Sequence, residues 1–444
     1  MPKTFPRGGV HPPENKLTSE CMIEQLALPA TVIIPLNQHI GAPAIPVVSK
    51  GDKILAGQLI AKAGGFVSSN IHSSVSGTIN KIESMPDNSG YRQTSVVIDV
   101  TNDEWINTIE RSVNYTTNHE LSAALIIEKC LEAGIVGLGG ATFPTHVKLK
   151  IPAGKKCDLL IINGVECEPF LTSDHRLMVE KGEEVIDGVS LLMKALNVER
   201  AMIGIEENKP DAIGCLERIC KDRKGITVHS LKVKYPQGGE KQLIKSLTGR
   251  EVPRGGLPID VGMMVQNVGT AYAVHEAIRK NKPLFERVVT ITGKHLSKPG
   301  NYLVRIGTPV SKLIEVAGGL PENTGKIIMG GPMMGKALFS ADVPVVKGTS
   351  GIVVFPREES ERTPSSPCIR CGRCMTACPV CLEPYLLMSL AEKGNFERAE
   401  RERITDCMEC GSCSYICPAG RPLLDYIRLG KSNVLKMARQ RAMN

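Results

Sequence analysis

Long apolar runs are missing from this 444-residue chain. Nothing in it reaches the roughly 18 uncharged residues that a bilayer span requires; the longest candidate, residues 27–36, is interrupted by Pro29 and Pro35. Aromatics are scarce, at 4% with a single tryptophan, so the interleaved stacking platforms of a single-strand nucleic-acid binder are not there. The opening stretch MPKTFPRGGVHPPENK has no apolar core and does not resemble a secretion signal. Excess charge of one sign is also missing from most of the chain. The formal net charge is +8, and the segment from Arg421 onward alone carries six basic side chains against one acid, Asp425. That basic tail reads as a short helix over residues 422–441, with an anionic membrane surface or an acidic partner as expected contacts. With 42% hydrophobic and 23% charged residues the chain is an ordinary globular one, and its length implies about three or four domains.

Cysteine is what the sequence has in plenty: fifteen, nine of them between positions 368 and 417. Without an export signal, metal ligation is a better reading than a disulfide framework. CIRCGRCMTACP places Cys368, Cys371, Cys374 and Cys378 at CxxCxxCxxxCP spacing, and CMECGSCSYICP repeats it at Cys407, Cys410, Cys413 and Cys417. Three thiolates two residues apart can wrap three corners of a cubane, while the fourth, before proline, ligates the other cluster. One [4Fe–4S] cluster is therefore expected on Cys368, Cys371, Cys374 and Cys417, the second on Cys407, Cys410, Cys413 and Cys378. Paired zinc knuckles would use two CxxC halves instead. Cys381 is expected to be a buried thiol, and Cys21, Cys130, Cys157, Cys167, Cys215 and Cys220 free thiols. The helical stretch between the two runs suggests a helical ferredoxin-like domain.

Ahead of the cysteines the pattern changes three times. Residues 32–100 alternate short β-branched runs with turns, as in a small all-β module. From about residue 116 helices and strands alternate: a helix closed by Gly134, the strand CDLLIING, one helix over 175–196, the strand RAMIGIEE, a helix after Pro210 and the strand GITVHSLKVKY. That order predicts a parallel sheet with crossover helices. Residues 286–345 return to short strands with many glycines, and the polar stretch 356–367 reads as a linker.

Four glycine-rich or acidic loops fall in the α/β region. GLGGATFP follows a helix and has Thr142 where a third glycine belongs, so the dinucleotide fingerprint is rejected; its backbone can still approach a phosphate or ring, with Lys148 supplying charge. NGVECEPF puts Glu166 and Glu168 past the carboxyl end of a strand, where open sheets bind ligands. The glycine-rich stretches YPQGGEKQLIKSLTG and MMVQNVGT complete the set.

These loops resemble the NADH- and FMN-binding subunit of respiratory complex I, whose GRGGAGFPTGxK, NxDExEPG, YxxGEExAL and NNVET motifs they match. The resemblance implies an FMN cradle from Gly137, Gly139, Gly140, Lys148, Asn163, Glu166, Tyr235, Gly238, Glu240, Asn267 and Thr270. It implies Phe143 against the nicotinamide nucleotide. Leu138, Val165 and Gly239 depart from the family's arginine, first acid and paired glutamate. Residues 51–79 resemble the lipoyl/biotinyl carrier fold, but the tip Gly64 to Asn70 has no lysine to carry a cofactor.

The whole arrangement is similar to the RnfC family of Rnf electron transport complexes. It implies a multidomain α/β architecture: a lipoyl-like β-module (1–115), a complex I type FMN/NAD-binding domain (116–285), a soluble-ligand-binding β-grasp module (286–345) and a helical dicluster ferredoxin domain with the basic tail (346–444). The implied activity is electron exchange between NAD(H), FMN and two [4Fe–4S] clusters, with no general acid or base. The implied setting is a peripheral subunit on the cytoplasmic face of the inner membrane, in a complex that couples ferredoxin and NAD to Na+ or H+ transport; nucleic acid is not an expected partner. Flavin links the two-electron and one-electron carriers. A cobalamin reductase of the propanediol-utilisation type shares the FMN and dicluster core and is the alternative. A zinc-bearing scaffold with a nucleic-acid-binding tail is the reading from another class.

Overall fold

A computed structural model describes residues 2–112 and 121–443; the boundary expected at 115/116 lies outside them. The N-terminal β-module is two sheets face to face. One holds strands Thr31–Pro35, Lys53–Ile54, Ser76–Pro86 and Arg92–Asn102; the other holds Ile45–Pro46, Leu59–Lys62 and Ile71–His72. Alternating Val32, Ile34, Ile60, Ile79 and Ile98 fill the space between them. The lysine-less tip joins the antiparallel strands Leu59–Lys62 and Ile71–His72 and carries an exposed Phe66.

The α/β domain has four parallel strands in the order Ile226–Leu231, Ala201–Glu206, Leu159–Asn163, Met263–Asn267. The chain moves one way from the first of these in sequence, Leu159–Asn163, and then returns to add Met263–Asn267 on its other side. The reversal falls between Asn163 and Asn267, paired in register at the carboxyl edge. Ligands bind open α/β sheets at such switch points. Met263–Asn267, expected only as a glycine-rich loop, is a strand buried throughout. Instead of one helix over 175–196 there are two, Ser173–Glu180 and Gly182–Leu196, parted at Lys181 (φ −129°). A Cβ on Gly182 would meet Ile219 Cδ1 at 2.7 Å, so the second helix packs closely on Pro210–Cys220.

The β-grasp sheet has six strands, and two come from outside residues 286–345: Ile23–Gln25 pairs with Gly300–Arg305, and Gly351–Pro356 lies between Glu286–Thr292 and Thr324–Met329. Of the expected linker, Pro356 ends the strand Gly351–Pro356 and is buried, residues 357–360 form a short helix, and residues 361–367 are irregular and exposed. In the C-terminal domain the short helices Arg373–Ala377 and Ser412–Tyr415 pack together, and Pro384–Glu392 lies along the long helix Leu423–Met443.

Candidate functional site: a glycine loop, an acidic loop and two cysteine loops

The loop after the helix Ala123–Glu132 is pinned at its base. Gly137 N–H donates to Phe143 O (2.9 Å) and Leu138 N–H to Thr270 Oγ1 (2.9 Å). At its crest the N–H groups of Gly139, Gly140 and Ala141 have no partner among the described residues. Gly140 is left-handed (φ +111°), and a Cβ there would meet nothing within 4 Å. Consecutive free N–H groups on an open crest form a concavity for an anion or an electron-rich ring edge. Phe143 is half-buried beside them.

Asn163 and Asn267 close the floor at the switch point. Asn163 Nδ2 donates to Gly238 O (2.9 Å), which brings the YPQGGE loop to the carboxyl edge. Asn267 caps the helix Val268–Arg279 by accepting from Gly269 N (2.8 Å) and Thr270 N (3.3 Å). Lys148 and Glu240 face each other as an ion pair at 2.7 Å, both partly exposed. The residues expected to form the cradle therefore converge, although several already have protein partners. Glu166 is the clearest case: its carboxylate accepts from Ser173 Oγ (3.1 Å), Asp174 N (2.8 Å) and His175 N (3.0 Å), so it caps a helix N-terminus.

The acidic loop is strained and over-determined. Glu166 (φ 46°) and Phe170 (φ 71°) are left-handed non-glycine residues, each costing on the order of 1–3 kcal/mol unless held by surroundings. The hold comes from Lys16, whose ammonium reaches the carbonyls of Glu166 (2.8 Å), Glu168 (2.9 Å) and Leu171 (2.7 Å). A second buried ammonium, Lys209, reaches Val165 O (2.9 Å). Burial and the neighbouring Lys209 pull Lys16 down to about 8. Asp174 receives a bond from Asn267 Nδ2 (2.6 Å), and burial next to Glu166 pushes it up to about 7. Sequence reasoning missed the roles of Lys16, Lys209 and Asp174. Lys16 ends the GGVHPPENK stretch, but nothing local says which loop it enters.

The two cysteine loops share one backbone. Arg370 (φ 57°) and Gly372 (φ 73°) in the first correspond to Glu409 (φ 60°) and Gly411 (φ 79°) in the second. Two left-handed residues between the first and third cysteine curl each loop around its cluster. A cavity is lined by Cys378, Cys407, Cys410 and Cys413 together, the four expected to hold the second cluster, so its donors fit one. Of the other set, Cys374 lies beside Cys417, and Cys368 and Cys371 are exposed. Cys381 is a correction: it is exposed, not buried, because the chain turns outward there with φ 55°. The remaining six cysteines are free thiols, with Cys130 and Cys157 buried.

Both cysteine runs reach the flavin-type domain, the first only through its final residues next to Cys378. Tyr235, at the head of the YPQGGE loop, donates its hydroxyl to Cys410 O at 2.8 Å in the buried interior. Gln242 Nε2 donates to Pro379 O (3.4 Å) and Gly9 N to Ala377 O (2.9 Å). Glu168 accepts from Met333 N (3.0 Å) and Met334 N (2.8 Å) of the β-grasp module, and burial pushes it up to about 7. A Cβ on Gly411 would meet Met333 O at 2.9 Å. Three modules thus meet at the second cysteine loop.

The basic tail forms the expected helix, but most of its charge is matched within its own domain. Arg421 pairs with Glu392 (3.6 Å), Arg428 and Lys431 with Glu409 (3.1 and 3.0 Å), and Arg441 with Glu400 (2.9 Å).

Fold and site together define a flavin-type electron-transfer protein whose α/β domain is joined to a dicluster ferredoxin domain. Four family models match: the Nuo51 FMN-binding domain over residues 130–276, the RnfC barrel sandwich hybrid domain over 3–103, the SLBB domain over 288–337 and the 4Fe-4S dicluster domain over 362–418. Among curated proteins, the chain is 49% identical to the C subunit of the proton-translocating ferredoxin:NAD+ oxidoreductase complex of Clostridium ljungdahlii, covering 90% of this chain and 87% of that one. It is 45% identical to the C subunit of the Na+-translocating complex of Acetobacterium woodii, covering 98% of each. It is 44% identical to the C subunit of the ion-translocating oxidoreductase complex of Rhodobacter capsulatus, covering 88% of this chain and 76% of that one. The chain belongs to this family, the RnfC subunits of ion-translocating oxidoreductases. An NAD+-reducing [NiFe]-hydrogenase in the H2-reduced state shares the fold at a TM-score of 0.50 and 19% identity, over 70% of this chain and 63% of that one. None of these relatives supports the cobalamin reductase alternative. No helix among the described residues is long and apolar enough to cross a membrane.

Proposed function

We propose that this chain is the peripheral subunit, on the cytoplasmic face of the membrane, where NAD(H) exchanges electrons with FMN and two [4Fe–4S] clusters of an ion-translocating ferredoxin:NAD+ oxidoreductase. When bound, FMN supplies the exchange between a hydride carrier and one-electron clusters. The free N–H groups of Gly139 and Gly140, with Lys148, Gly238, Asn267 and Thr270, form the cradle for its phosphate and ring, and Phe143 flanks the nicotinamide. Glu166 and Lys16 act one layer behind, by fixing the acidic loop. Gly137, Asn163 and Glu240 set the loops at the switch point.

The observation that carries this reading is the Tyr235–Cys410 hydrogen bond, 2.8 Å, which joins a cradle loop to a cluster loop. Accordingly the set Cys378, Cys407, Cys410 and Cys413 is the station next to the flavin, and Cys368, Cys371, Cys374 and Cys417 form the outer one. The test is anaerobic analysis for iron, sulfide and released flavin, with visible spectra before and after NADH. About eight irons and one FMN per chain, with bleaching by NADH, are expected; clusters without flavin, or no response to NADH, would refute the reading. Lys148→Ala should cut NADH-driven reduction at unchanged iron content.

A further inference from the structure

The lysine-less hairpin of the β-module carries no cofactor, yet it is firmly built. At its tip Ala63 N–H donates to Asn70 Oδ1 (3.0 Å), Ser68 Oγ to Ala42 O (2.8 Å) and Ser69 N–H to His39 Nε2 (3.1 Å). The tip is a fixed turn rather than a swinging arm, and its base lies against the end of the helix Ala123–Glu132. Asn70 Nδ2 donates to Glu132 O (3.3 Å). Gly134, the left-handed residue just past this helix (φ +66°), comes so close that a Cβ on it would meet Asn70 O at 2.3 Å.

A lysine does stand at this contact, supplied by another module. Lys347, in the turn before the strand Gly351–Pro356, is 1% exposed, and its ammonium donates to Asn70 O (2.8 Å) and Gly134 O (2.7 Å). No carboxylate pairs with it among the described residues, and burial pulls it down to about 7. A buried ammonium without a counter-ion is expensive; here two carbonyls and the negative end of a helix face it. The same turn reaches the glycine-rich loop. A Cβ on Gly348 would meet Thr142 Cγ2 at 2.8 Å. Lys347 N–H donates to Gln38 Oε1 (3.0 Å), and close by in sequence Ile40 N–H donates to Thr142 O (3.3 Å). Only Ile135 and Val136 separate Gly134 from Gly137, where the loop begins. One turn therefore grips the loop at its entrance and at its far flank.

We infer that Lys347 is a positioning residue for the flavin cradle: its ammonium ties the lipoyl-like hairpin to the helix end at Gly134 and so fixes the loop that presents the free N–H groups of Gly139 and Gly140. The inference rests on the FMN reading above and adds what the β-module does for it. With no lysine at its tip, the hairpin serves as a wall, and the cation at the joint comes from the neighbouring module. Free N–H groups on a crest make no bond that holds them in place, so their direction depends on the packed residues behind them. Lys347 acts through Gly134 and Thr142.

The test uses the full chain with both clusters in place and flavin removed, titrated anaerobically with FMN and followed by quenching of flavin fluorescence. Lys347→Met, which keeps the length of the side chain and removes the ammonium, should raise the FMN Kd about tenfold or more, at parental iron content. At saturating FMN, bleaching by NADH should return close to the parent's rate. The control is Arg305→Met. Arg305 also joins the β-module to the β-grasp sheet, through Ser74 O (2.6 Å), Asp103 (2.9 Å) and Glu286 (3.0 Å), and it makes none of the contacts to the glycine-rich loop. Its loss should lower the unfolding midpoint while leaving the FMN Kd near the parent's. Parental FMN affinity in Lys347→Met would overturn the inference, as would an equal loss of affinity in Arg305→Met, which would reduce the effect to general loosening of the modules. Should Lys347→Met not fold, Gln38→Ala decides: it frees the Lys347 backbone, leaves the ammonium, and should raise the Kd about threefold, with parental affinity counting against the inference. A parent that binds no FMN at all would overturn the FMN reading and this inference with it.

Discussion

The two cysteine loops of the ferredoxin domain are built on one pattern and live in opposite surroundings. Both curl through paired left-handed residues, Arg370 and Gly372 or Glu409 and Gly411. The second loop is locked between a cradle loop and the β-grasp module, with Cys410 and Cys413 buried; the N-terminal segment at Gly9 holds the end of the first run, beside Cys378. The first has Cys368 and Cys371 exposed. An inner station must be held at fixed distance from the flavin, while an outer one must be reachable by another protein. A duplicated motif meets both needs once its copies diverge only in what touches them.

Removing one ligand from each loop should separate the two roles most strongly. Cys413→Ala and Cys371→Ala should each lose about half of the iron, yet only the inner variant should also loosen the junction, seen as faster proteolysis between the flavin and ferredoxin domains. Equal proteolysis of the two variants would remove the distinction. Next in size is Tyr235→Phe, which leaves the buried Cys410 carbonyl without its donor. The cost is about 1–3 kcal/mol of stability at this junction, measurable by denaturant unfolding, with iron content retained; an unchanged midpoint would deny the bond its role.

A pH dependence sharpens the same contrast. Glu168 titrates near 7 in the folded chain, above its ordinary value, because it is buried. The folded state then holds a proton that the unfolded state has released, so its contribution is present below about pH 4.5 and is lost as pH rises through about 7. Glu168→Gln should therefore gain on the parent as pH rises from 5.5 to 8 in thermal unfolding; a gap independent of pH would place the carboxyl in water. The smallest effect is expected at the tail: Arg441→Ala removes an exposed pair with Glu400 at 2.9 Å and should change stability by less than about 1 kcal/mol.

What the sequence made legible was what short spacing dictates. The cysteine loops could be paired into two ligand sets because the chemistry fixes the intervals, and the cavity shared by Cys378, Cys407, Cys410 and Cys413 follows that pairing. The cradle loops were legible as motifs, though not what their side chains do in the folded chain: Glu166 caps a helix, and Tyr235 reaches a cysteine loop 175 residues away. Met263–Asn267 was not legible as a strand because a fully buried parallel strand shows no alternation. Nor was the neutralisation of the basic tail, since its partners Glu392, Glu400 and Glu409 lie in other elements. Lys16 illustrates the general reason: its three carbonyl partners are about 150 residues distant, and no local pattern encodes such a contact.

The most direct test of the inner and outer assignment is an anaerobic NADH reduction of Cys371→Ala and Cys413→Ala, followed by low-temperature electron paramagnetic resonance of the cluster that remains. NADH should still reduce the inner cluster promptly when the outer one is lost, and the outer cluster should stay oxidised or reduce far more slowly when the inner one is lost. Prompt reduction of the outer cluster without the inner one would contradict the assignment.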